Sequence, residues 1–240
     1  MAMVAALAGA ACAPVLVEPP APDPTTAMGG GAHGECRRPA SNTDCDRISS
    51  TLMPGAMNPQ GRWAMGWQAA AGAPVERYDS FILNQNGLPS SEGIAVWRQR
   101  GADFPSAAFN PTCHPYADGG VRMKPGEVVL TPGAAGQYSV VRWTPGHSGA
   151  VHIRAVFSSA RADSDRPDLS TDIHVRRGPI ELSAGKSEAG GGGGKAFVYD
   201  NRIPLGVGDV VEFAVGAGAG AGGKGAPARD GTGIDIEICY

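Results

Sequence analysis

Residues 127–157 read EVVLTPGAAGQYSVVRWTPGHSGAVHIRAVF, and this stretch decides the fold class. Glu127–Leu130 turns apolar directly after a Pro-Gly pair. Tyr138–Trp143 alternates and carries β-branched and aromatic residues. Val151–Phe157 places Val151, Ile153, Ala155 and Phe157 on one side and His152 and Arg154 on the other. The two interruptions, Thr131-Pro132-Gly133 and Thr144-Pro145-Gly146, are turn sequences, because proline presets φ and glycine tolerates positive φ. Period-two alternation between turns predicts antiparallel strands that bury one face.

Composition agrees with that reading. The chain has 240 residues, long enough for a substantial core. Its 36 glycines and 20 prolines favour turns over helices. A net charge of −3, with lysines and arginines scattered, offers no electrostatic footprint for nucleic acid. No apolar run reaches the roughly 18 residues of a membrane-spanning helix.

Working outward, RWAMGWQ (62–68) spaces Trp63, Met65 and Trp67 on one strand face. Phe81–Leu83 and Gly93–Arg98 follow, with Ile94 and Val96 opposite Ala95 and Trp97. Residues 102–120 are irregular. Downstream, Thr171–Arg176, Pro179–Leu182, Lys195–Asn201, Ile203–Leu205, Val210–Val215 and Ile234–Cys239 read as strands, the last with Ile234, Ile236 and Ile238 inward. The expectation is an all-β chain: an antiparallel two-sheet β-sandwich, or jelly roll, of about ten strands over residues 58–240. The glycine runs at 190–194 and within 216–231 cannot bury a core and read as loops.

The N-terminal part is different. Residues 1–12, MAMVAALAGAAC, are small and apolar, and Gly9-Ala10-Ala11-Cys12 resembles a bacterial lipoprotein signal. That resemblance implies lipidation at Cys12, export to the periplasm or cell surface, and membrane contact through a lipid anchor only. Residues 13–57 read as a flexible Pro/Gly-rich tether. Removing Cys12 from the five cysteines leaves Cys36, Cys45, Cys113 and Cys239, an even set. Three pairings are open. A local Cys36–Cys45 staple with a Cys113–Cys239 bridge is the favoured one.

From Asn58 onward the chain resembles exported β-sandwich modules of large-genome bacteria of the planctomycete and myxobacterial type. The landmarks are NPQGRWAMGW (58–67), LTPGAAGQYSVVRWTPGHSGAVHI (130–153), STDIHVRRG (170–178), LGVGDVVEFAVG (205–216) and DGTGIDIEI (230–238). The family looks like the carbohydrate-binding jelly rolls, and the resemblance implies fold and export without assigning any residue a role. The two glycine insertions and the Arg176-Arg177 pair depart from its usual pattern.

Candidate sites follow from side-chain chemistry. Trp63, Trp67, Trp97 and Tyr116 are candidates to stack on a sugar ring, although core packing explains Trp63 and Trp67 at least as well. Asp172 and His174 share a strand face and, with Asp209 or Asp235 nearby, are candidate ligands for calcium or a transition metal. A solvated face is the simpler account of both. Asp163, Asp165 and Asp168 lack the glycine and terminal glutamate of a calcium loop. No nucleophile elbow or P-loop is present, and no organic cofactor is expected. The sequence therefore points to a non-enzymatic exported binding module that contacts carbohydrate or an envelope polymer. The alternative is a structural accessory subunit that clips onto an envelope or membrane-protein complex through exposed strand edges.

Overall fold

A computed structural model describes residues 44–55, 57–84, 93–118, 120–161, 170–188, 194–218 and 231–240. Cys12 and Cys36, the tether up to residue 43, the Asp163–Asp165–Asp168 loop and nearly all of both glycine runs lie outside them.

Sixteen strands and one helical turn appear among the described residues. In chain order they are β1 (Cys45–Arg47), α1 (Ile48–Thr51), β2 (Trp63–Gln68), β3 (Glu76–Arg77), β4 (Ser80–Asn84), β5 (Ile94–Arg98), β6 (Ser106–Phe109), β7 (Tyr116–Asp118) and β8 (Val121–Met123). There follow β9 (Val128–Thr131), β10 (Tyr138–Trp143), β11 (Gly149–Ser159), β12 (Ser170–Arg177), β13 (Ile180–Glu188), β14 (Phe197–Leu205), β15 (Val211–Ala217) and β16 (Thr232–Cys239). The eight-stranded sheet runs β14-β11-β16-β9-β6-β5-β4, and β1 also pairs with β16. The six-stranded sheet runs β13-β12-β15-β10-β2-β3, and β7 and β8 form a separate hairpin. Every strand pair is antiparallel. No helix among the described residues is long and apolar enough to cross a membrane.

The alternation read from the sequence becomes the sandwich core. Val151, Ile153, Ala155 and Phe157 of β11 are fully buried, as are Ile236 and Ile238 of β16 and Ile173 and Val175 of β12. The β11 and β16 side chains meet those of β12 and Trp63, Val141, Trp143 and Phe213 from the facing six-stranded sheet in one continuous cluster. Each buried Val, Ile or Phe side chain contributes about 1.5–3 kcal/mol. Two hydrogen-bonded links set the sheets against each other: Thr232 Oγ1 donates to Thr171 Oγ1 at 2.9 Å, and Ser139 Oγ donates to the Ser106 carbonyl at 2.8 Å. Tyr78 O–H shares the second link, 2.9 Å from Ser139 Oγ.

Several expectations need correction. The strand count exceeds ten, because residues 102–120 hold β6 and β7 and because β1 joins the sheet ahead of residue 58. Lys195–Asn201 and Ile203–Leu205 fuse into β14 across Pro204. That is permitted because β14 is an edge strand, paired only with β11, so a missing N–H costs no ladder bond on its open side. The favoured cysteine pairing is also overturned: Cys45 is bonded to Cys239. Those two residues are direct register partners of β1 and β16. Strand pairing, rather than proximity along the chain, selects the bridge. Cys113 is disulfide-bonded as well.

Candidate functional site

The sequence-predicted aromatic platform does not form. Trp63 and Trp97 are 0% and 1% exposed, and both face the inter-sheet core. Trp97 packs its ring against Phe81 at 5.5 Å and donates its indole N–H to the Gly55 carbonyl. Trp67 is half-buried against the same core. Neither Trp63 nor Trp97 has a ring face free for a sugar, and the structure assigns both to packing. Tyr116 has a different setting, on the outside of the eight-stranded sheet.

That outer face is built from the second side of strands whose first side is core. On β5, Ala95 and Trp97 point inward while Ile94, Val96 and Arg98 point outward. On β6 the outward residues are Ser106 and Ala108, on β9 Val129 and Thr131, and on β4 Ile82 and Asn84. Register places Ile82 beside Val96, Val96 beside Ala108, and Ala108 beside Val129, so one apolar row crosses four strands. The β7–β8 hairpin lies over part of this row. Tyr116 and Met123 pack with Ile94, Val129 and Ala160 in a second, smaller apolar cluster. Arg122 N–H donates to the Ala160 carbonyl at 2.6 Å and holds the hairpin down.

Between the hairpin and the loop before β6 is a cavity of about 250 Å³. Its floor is Ile82, Val96, Ala108 and Val129. Its rim carries Asn84, Arg98, Asp103, Phe104, Tyr116 and Asp118. Asn84 Nδ2 donates to Tyr116 Oη at 2.8 Å, and Tyr116 O–H donates to Asp118 Oδ2 at 3.1 Å. Arg98 pairs with Asp103. Burial, and then the hydrogen bond and charge of Asp118, push the Tyr116 hydroxyl up to about 12.

This shift has a testable sign. A phenol whose folded pKa lies above its ordinary value of 10.0 contributes stability that is complete below pH of about 10 and is lost as pH rises toward about 12. Burial raises Tyr78 in the same direction. Ultraviolet titration at alkaline pH is expected to find a phenolate step near 12 that Tyr116→Phe removes. At neutral pH that variant should cost about 1 kcal/mol for the lost hydroxyl bonds. A Tyr116 step near the ordinary value would contradict the relay.

The other sequence candidates are scattered. Asp172 and His174 do come together on the outer face of the six-stranded sheet, but not as an open ligand pair. His174 Nε2 is 3.0 Å from Asp172 Oδ2, and its Nδ1 is 2.8 Å from Glu181 Oε2. Tyr138 O–H donates to Asp172 Oδ2 at 2.6 Å, and Arg176 reaches Glu181 at 3.2 Å. Both ring nitrogens are thus engaged by carboxylates. The third ligands the sequence suggested point elsewhere: Asp209 pairs with Arg177 at 3.0 Å, and Asp235 lies on the other sheet, 3.4 Å from Arg47. Among the described residues the only three His, Cys, Asp or Glu side chains whose ligating atoms all lie within 4.8 Å of one another are Cys45, Glu237 and Cys239, whose two sulfurs are already bonded to each other.

A second, polar cavity of about 200 Å³ is lined by Asp44, Cys45, Asp46, Arg62, His147 and Tyr240. Its groups are largely spent on each other. Arg62 donates to Asp46 Oδ2 at 2.8 Å, and the Trp143 indole N–H donates to the same oxygen at 3.0 Å. The His147 and Tyr240 rings lie 4.0 Å apart.

Comparison with known proteins adds the following. No family model and no curated protein matches the chain. Solved structures do. A family 35 carbohydrate-binding module from Clostridium thermocellum aligns at 8% identity and a TM-score of 0.31, over 66% of this chain and 95% of that one. A carbohydrate-binding module from the Cellvibrio mixtus lichenase 5A, in complex with cellotriose, aligns at 16% identity and a TM-score of 0.26, over 47% of this chain and 77% of that one. An isomalto-dextranase from Arthrobacter globiformis aligns at 16% identity and a TM-score of 0.29, over 55% of this chain, which spans only 20% of the enzyme's length.

Asn84, Arg98, Asp103, Phe104 and Asp118 were not singled out in the sequence. One signal for them was available. Strands IAVWR and VVLT are apolar on both sides, where a strand with one wet face alternates. That pattern marks an outer face under cover, and covers on sheets make cavities.

Proposed function

We propose that the protein is a non-catalytic carbohydrate-binding module acting outside the cytoplasm, with its ligand seated in the outer groove of the eight-stranded sheet. One observation carries this reading: an apolar floor of Ile82, Val96 and Ala108 lies beneath a rim of amide, guanidinium, carboxylate and phenol groups. A sugar ring has the matching chemistry, an apolar C–H face and a girdle of hydroxyls that both donate and accept. The Asn84–Tyr116–Asp118 relay fixes the orientation of its polar groups before a ligand arrives, which reduces the ordering cost of binding. The Cys45–Cys239 bridge supports an extracytoplasmic setting, because disulfides persist in oxidising compartments.

The test is a glycan array followed by titration of the binders against the full chain and an Ala108→Phe variant. Ala108 is half-buried on the groove floor, so a phenyl ring there fills the cavity. Loss of at least about tenfold in affinity is expected, equivalent to about 1.4 kcal/mol. The stability cost of overpacking should stay within about 1–3 kcal/mol. Saccharide binding unaffected by Ala108→Phe, or release of new reducing ends on incubation with the bound polysaccharide, would refute the proposal.

A further inference from the structure

Resting on that reading, we infer that the groove receives the terminal ring of a neutral saccharide and not an internal stretch of chain or an acidic sugar. Three of its sides are walled. At the β9 side, Val121 of the hairpin and Val129 of the floor both close on Gly231, where an added Cβ would lie 3.2 and 3.1 Å from them. The hairpin is pinned there by the Arg122–Ala160 hydrogen bond and by the bridge between Val121 and Arg161. At one end of the strands, Tyr116 packs with Ile94 and bonds Asn84, and Asp118 bonds Tyr116. At the other end, Asp103 pairs with Arg98, and its neighbour Phe104 also lines the groove. Among the described residues the remaining side is β4, the edge of the sheet.

Dimensions agree with a single ring. Successive outward residues of a strand are about 7 Å apart, from a rise of about 3.3 Å per residue. The apolar row from Ile82 to Val129 is flanked along the strands by the Asn84–Ile94 pair and by the Arg98–Ser106 pair, one such step to either side. A chain running along the strands meets a wall in both directions, and one running across them meets the hairpin. The volume of about 250 Å³ falls below the roughly 300–1,000 Å³ of sites that enclose a drug-sized ligand. A ring entering from the β4 edge therefore leads with its end.

Charge sets the second half of the inference. The lining holds Arg98 against Asp103 and Asp118, and Arg98 is already paired with Asp103. Among the described lining residues a uronate carboxylate entering this groove meets two carboxylates, Asp103 and Asp118, against the one guanidinium of Arg98, which already pairs with Asp103, and like charges brought together are disfavoured. Hydroxyls meet carboxylate acceptors at Asp103 and Asp118.

The experiment titrates the full chain, by calorimetry and by amide chemical shifts, with the methyl glycosides of glucose, galactose, mannose, xylose and glucuronic acid. It continues with linear oligomers of increasing length, and a ring-closed oligomer, of whichever sugar binds. The expected result is a neutral glycoside that shifts groove amides such as Ser106, Ala108 and Thr131. Affinity per chain end should then stay constant within about twofold as the oligomer lengthens, and the ring-closed form, having no end, should fail to bind. Affinity rising more than about tenfold with length, equal binding of the ring-closed form, or preference for the glucuronide would overturn the inference while leaving carbohydrate binding intact. No groove shift with any saccharide would overturn both. The Ala108→Phe variant, checked for folding by its amide spectrum, confirms that the shifts report the groove.

Discussion

Replacing Cys45 and Cys239 together by alanine is expected to lower the unfolding free energy by about 4–5 kcal/mol and the melting temperature by about 10–15 °C. The bridge spans a sequence separation of 194 residues. In the chain-entropy account its value grows with the logarithm of the closed loop, and separations beyond about 100 residues reach the upper end of the usual range. The structure adds a second contribution. β1 is three residues long and is held through its pairing with β16, so without the bridge it is prone to fray. Fraying would take Asp46 from the Trp143 indole N–H and from Arg62. A buried indole donor without a partner costs about 1–3 kcal/mol. Denaturant unfolding followed by tryptophan fluorescence reads the change. A loss under about 1 kcal/mol would mean that the denatured chain is already constrained elsewhere.

Trp97→Ala is expected to cost about 3–5 kcal/mol of stability and to leave saccharide affinity within about twofold of the parent. The side chain is fully enclosed between Phe81 and the inter-sheet cluster, so truncation opens a cavity the neighbours cannot refill. It also leaves the Gly55 carbonyl without its indole donor. Because β5 turns Trp97 inward and Val96 and Arg98 outward, the groove floor keeps its own residues. Thermal unfolding and titration of the same sample separate the two effects. A folded Trp97→Ala protein that loses sugar binding would restore this residue to the ligand site. Together with Ala108→Phe, the variant assigns opposite functions to opposite faces of adjacent strands.

How far the sequence could be read depended on the kind of information each element carries. β11 and β16 were legible residue by residue, because each has one dry face and one wet face and their alternation records it. β13 was read only in its first residues. The rest, Ser183–Glu188, runs as a hairpin arm with little burial, so it carries no apolar stripe to detect. β6, with sequence SAAF, is short and alanine-rich, and its strand state comes from being sandwiched between β5 and β9. Trp97 and Tyr116 looked alike as aromatic candidates. What separates them is the face on which each lies, and for Tyr116 that includes the hairpin folding back over its own sheet.

The chain's local pattern by itself determined that this is an antiparallel β-protein and which side of its central strands is dry, since period-two alternation is a property of neighbouring residues. Only the tertiary structure decided that Cys45 meets Cys239, that the tryptophans fill the interior, and that a hairpin converts one outer sheet face into a walled groove. The first two depend on strands far apart in the chain becoming neighbours, and the third on a hairpin folding back over the strands that flank it in sequence. That choice is made by the summed packing of the whole sandwich, and no single segment encodes it.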